Sequence, residues 1–69
     1  MSKYTVEGTE GELVGTTTSV ERARRMCEEY FQNGVTPSAK EIRADLKIIG
    51  TSRVPTNMDD SYACWIKEA

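Results

Sequence analysis

Residues 33–58 read NGVTPSAKEIRADLKIIGTSRVPTNM, and they set the expected fold: one helix ends, a second is capped at both ends, and a third element opens. Asn33 and Gly34 tolerate the left-handed backbone that a helix C-terminus needs, so a helix is expected to stop there. Pro37 and Ser38 precede Ala39, Lys40 and Glu41, so Ser38 can cap the next helix with Glu41 as its reciprocal partner. Ala39, Ile42, Leu46 and Ile49 then fall on one face at spacings of three, four and three. Gly50 is a natural stop.

Beyond Gly50 the pattern admits two readings. As a strand, Tyr62, Cys64 and Ile66 alternate with Ala63, Trp65 and Lys67; as a helix, Val54, Met58, Tyr62, Trp65 and Ile66 follow at four, four, three and one. The helix spans more residues, and Asp59 and Asp60 suit its first turn through the macrodipole, so a third helix is the expectation. Ser52 or Thr56 would cap it. Pro55 favours the later start, because it lacks a backbone N–H and disfavours helical geometry at Val54.

Upstream, Thr18 and Glu21 have the spacing of a capping box, and Val20, Ala23, Cys27, Tyr30 and Phe31 make one apolar stripe on a first helix. Residues 3–17 read as a β-hairpin. Tyr4 and Val6 alternate with polar residues, GTEG supplies the turn, and Leu13, Val14 and three threonines return. Such a hairpin is marginal alone and must lean on the helices or on a third strand. The expected fold is therefore α+β: residues 1–69 as a single small domain, with a β-hairpin over 3–17 and a three-helix region over 18–69.

The chain has 69 residues, a net charge of −2, two cysteines and no histidine. A domain this size has one thin core and little room for an enzyme cleft. Without histidine or a phosphate-cradling glycine loop no nucleophile has an evident activating base, so no catalytic residue, cofactor or metal is expected. Cys27 and Cys64 are expected as reduced core thiols, and Trp65 as a core side chain. No apolar run approaches eighteen residues, so a cytoplasmic protein without a membrane span is expected. Charge is uneven: residues 18–50 hold six of the nine basic side chains against five acids, and both ends are acidic. Arg22, Arg24 and Arg25, set among Glu21, Glu28 and Glu29, are expected in exposed ion pairs worth under about 1 kcal/mol each.

Gly34, Pro37, Ser38, Glu41, Ile42, Leu46, Ile48, Ser52, Val54 and Met58 stand in a pattern that resembles the helix-turn-helix of LexA-type repressors and related winged-helix regulators. The resemblance implies a winged-helix-like core and a small DNA-binding transcriptional regulator on double-stranded DNA; one helix reads only a few base pairs, so a homodimer is expected. Ser38 and Lys40 would meet phosphate, Ser52 would open the recognition helix, and Arg53, Thr56 and Asn57 would face base edges. Lys40, Arg43 and Lys47 form a basic stripe on the second helix that either joins this DNA-binding surface or is a solvated face interleaved with Glu41 and Asp45. The acidic balance and the Asp59-Asp60 pair support an alternative, a phage- or plasmid-type protein that binds and inhibits a host protein.

Overall fold

A computed structural model describes residues 3–58 and 61–68. The elements in order are β1 (Tyr4–Glu7), β2 (Leu13–Thr17), α1 (Val20–Phe31), α2 (Ala39–Ile49), β3 (Thr51–Pro55) and β4 (Ala63–Glu68). The strands form one sheet in the order β2-β1-β4-β3, with every neighbouring pair antiparallel. The expected hairpin is present, with a register shift between Val6 and Glu7. The third strand it needs is β4, from the far end of the chain, paired Tyr4 to Glu68 through Glu7 to Trp65.

The three-helix, helix-turn-helix-like core is not what forms. The described residues contain two helices, and the segment expected as a third helix is the β3–β4 hairpin. Pro55 and alternation explain why. Val54, Cys64 and Ile66 are all fully buried, which a strand achieves by pointing every second side chain to one face. The Glu68 N–H donates to the Gly50 carbonyl at 3.1 Å and the Thr56 N–H to the Tyr62 carbonyl at 3.3 Å. By antiparallel alternation, the backbone of residues 51, 53 and 55 then faces away from β4. Pro55 thus lies where its missing N–H is not needed, on an edge strand, and its carbonyl accepts from the Thr36 N–H at 3.0 Å. The expected charge effect of Asp59 and Asp60 lies outside the described residues.

Both helices lie on one face of the sheet. Val20, Ala23 and Cys27 of α1 and Ile42 and Leu46 of α2 pack against Val6, Val54, Cys64 and Ile66 of the strands. Ser38 caps α2 as expected, its Oγ accepting from the Glu41 N–H at 3.3 Å, and Gly50 ends it at φ +76°. Glycine is suited to that left-handed turn, since any Cβ there would be strained. Ile49, expected on the buried stripe, is instead 68% exposed where the helix turns into β3.

The caps of α1 shift by one or two residues from expectation. Ser19, not Thr18, is the N-cap, its Oγ accepting from the Arg22 N–H at 3.3 Å. Gln32, not Asn33 or Gly34, takes the left-handed conformation, at φ +56°. Its N–H and that of Asn33 return to the Glu28 and Glu29 carbonyls, which closes the helix. Arg24 does more than pair with Glu28 at 3.0 Å. Its Nε donates to the Pro37 carbonyl at 2.8 Å and Nη2 to the Val35 carbonyl at 3.4 Å, pinning the α1–α2 connection to the first helix.

Candidate functional site

Helices cover one face of the sheet and leave the other open, so alternation along each strand decides which side chains are presented. On β4, Cys64 and Ile66 are sealed inward while Trp65 points outward and is 37% exposed. The expectation that Trp65 belongs to the core is corrected by this alternation. Across the pairing, Arg53 of β3 and Glu7 of β1 lie opposite Trp65. One step along, Lys67 lies between Thr51 and Thr5. Beyond β1, Thr16 and Leu13 of β2 complete the face.

The outward face is therefore an aromatic ring among hydroxyls, two cations and one carboxylate. Lys67 Nζ lies 2.9 Å from Glu7 Oε1, so the carboxylate is already engaged by a cation. A groove of about 640 Å³ runs beside Trp65, bordered by Glu7, Lys67, Thr51, Glu68, Gly50 and Gly11. Gly11 and Gly50 have positive φ, and a Cβ at either would meet nothing within 4 Å, so the ends of the groove are bounded by bare backbone. The Thr51 Oγ1 is buried without a hydrogen-bond partner.

The eight residues expected to contact DNA do not share a surface. Ser38, Lys40, Arg43 and Lys47 lie exposed on or at the start of α2, in the helical layer. Arg53 faces out from β3 on the other side of the sheet. Ser52 is buried beneath that strand, its hydroxyl donating to Asp45 Oδ2 at 3.1 Å. Thr56 is buried too, bridged to Val35, with its hydroxyl donating to the Gly34 carbonyl at 3.4 Å. Asn57 is exposed, but its side-chain oxygen accepts from the Thr36 hydroxyl at 3.1 Å and its N–H donates to the Gly34 carbonyl at 3.0 Å. With no recognition helix to carry them, Ser52, Thr56 and Asn57 act in the fold, holding β3 to α2 and to the loop after α1.

The helical layer interleaves six cations with five acids. Arg43 is bound to Glu21 of α1, and Glu41 and Asp45 interleave with Lys40 and Lys47. The Glu21 carboxyl is held below its ordinary range by its own backbone N–H and by Arg43. Glu12, at the end of the first hairpin, accepts from the Tyr30 hydroxyl. That bond lowers the Glu12 carboxyl and raises the Tyr30 hydroxyl.

Cys27 and Cys64 meet in the core, both free and fully buried. The hydrogen bond between the thiols, with burial, drives Cys27 far above the ordinary thiol range. They have no surface through which a substrate could reach them. Among the described residues no group of three or more His, Cys, Asp or Glu side chains could hold a metal ion, and no helix is long and apolar enough to cross a membrane.

Sequence reasoning singled out Arg53, placed Trp65 in the core, and missed Thr5, Glu7, Thr51 and Lys67. The usable signal was the period of two from Tyr62 to Lys67, which separates Trp65 and Lys67 from the buried Cys64 and Ile66. Compared with protein-family models, with curated proteins and with solved structures, the chain matches none.

Proposed function

We propose that this protein is a small nucleic-acid-binding module whose contact surface is the open face of its sheet. The observation that carries the reading is Trp65, the only tryptophan of the chain, projecting from a central strand with Arg53 opposite and Lys67 on the same strand. Among the described residues, the outward strand positions around the ring carry Arg53, Lys67 and Glu7, with Lys67 paired to Glu7. A cationic, hydroxyl-bearing surface around an aromatic ring offers both phosphate and base contacts. No helix enters a groove in this reading. The helical layer supports the fold.

Binding should be salt-sensitive at this face. Replacing Arg53 and Lys67 together by alanine is expected to weaken binding at least about tenfold and to reduce the slope of log K against log salt by about 1.4–1.8, for two lost phosphate contacts. Replacing Lys40 and Lys47 is expected to change little. Absence of binding to any single or double strand at low ionic strength, or an equal loss from the helical pair, overturns the proposal.

A second reading, a protein-binding module, draws on a different surface. Ile48 and Ile49 at the end of α2 are 78% and 68% exposed, side by side, an apolar patch that solvent does not favour. A partner bound by the wild type in the presence of nuclease, and lost on replacing both isoleucines by glutamate, would favour it over the nucleic-acid reading.

A further inference from the structure

Resting on the nucleic-acid reading of the open sheet face, we infer that the ligand is a single strand, DNA or RNA, with one unpaired base stacked on Trp65 in the groove beside β4. Three observations point there. First, Trp65 is centred on the sheet rather than at its rim, with β1 on one side and β3 on the other. The face of a base can reach such a ring only if the base is unstacked, and a duplex keeps its base faces covered.

Second, a shallow, open groove of about 640 Å³ runs beside the ring, and its bare ends at Gly11 and Gly50 leave room for a strand to enter and leave. Third, two cations stand beside the ring: Arg53 lies opposite it on β3 and Lys67 two residues along β4, and both suit the phosphates on either side of the stacked nucleotide.

Because Trp65 is the sole tryptophan, its fluorescence reports on this site directly. The experiment titrates the full chain with a mixed-sequence ten-nucleotide single strand, as DNA and as RNA, and with the same sequence annealed to its complement. The expected result is quenching by the single strands, with affinity at least about tenfold above that of the duplex. For variants that lack the fluorophore, affinity is read from the anisotropy of a dye-labelled strand, and Trp65→Phe is expected to keep most of it. Trp65→Ala should lose about 5- to 150-fold, the range expected for removing one aromatic stack, with unchanged circular dichroism as the check on folding. If Trp65→Ala does not fold, wild-type quenching and the phenylalanine variant decide alone. Duplex binding as tight as single-strand binding, or binding that leaves the emission unchanged, overturns this inference while leaving the nucleic-acid reading in place. Failure of all three probes to bind removes both.

Discussion

The two faces of the sheet come from the same four strands, residue by alternate residue, yet they are chemically unlike. Inward lie Val6, Val54, Cys64 and Ile66, with Ser52 held by Asp45, all with essentially no exposure. Outward lie Thr5, Glu7, Thr51, Arg53, Trp65 and Lys67, which present hydroxyls, charges and an aromatic ring. The inner face has one task, burial beneath the helices, and its residues are nearly interchangeable in chemistry. The outer face holds different chemistries side by side, as a contact surface requires. A one-residue slip in β4 would exchange Trp65 and Ile66 and destroy both.

The largest test of this contrast is Ile66→Ala. It removes the inward side chain next to Trp65 and is expected to cost about 2–5 kcal/mol in urea unfolding, the range for large-to-small changes in cores. A loss under about 1 kcal/mol would mean that the inner face is not the tightly packed layer described. Thr51→Val probes the other face and should move stability the opposite way. Its hydroxyl is buried without a partner, so replacing it with a methyl group is expected to stabilise by about 1 kcal/mol, seen as a higher urea midpoint. Destabilisation would show that the hydroxyl is satisfied in solution.

Tyr30→Phe should have the smallest effect, and it is one of pH rather than magnitude. Glu12 is lowered in the folded state, so its contribution is present at neutral pH and fades as pH falls through its folded value. Tyr30 is raised, so its contribution is present below the unfolded tyrosine range and fades as pH rises through its folded value. The link therefore acts across the neutral range and weakens at both ends. In Tyr30→Phe that contribution should vanish from the stability-against-pH curve, and a curve superimposable on that of wild type would refute it.

Much of the fold was legible because its signals are local. Ser38 and Gly50 bound α2 as their chemistry requires, and the hairpin over 3–17 follows from alternation and turn residues. The end of α1 was misplaced because Asn33 and Gly34 carry the stronger preference for left-handed backbone, while the hydrogen bonds to Glu28 and Glu29 put Gln32 there. The candidate site was less legible. Trp65 and Lys67 belong to a segment where helical and strand periods both fit, and a longer helical match masked the shorter alternating one.

By itself the sequence determined the two helices, the first hairpin and the punctuation by Pro37 and Gly50. These rest on interactions within a few residues, so the chain encodes them locally. Only the tertiary structure decided that Thr51–Pro55 and Ala63–Glu68 are strands, because the β3–β4 hairpin joins the sheet through β1, some sixty residues before β4, and that pairing has no local signature. That same pairing turned Trp65 outward, moved Ser52 and Thr56 into the fold, and separated Arg53 from the cations of α2. Which side chains form a surface depends on which strands meet, and non-local hydrogen bonds settle that.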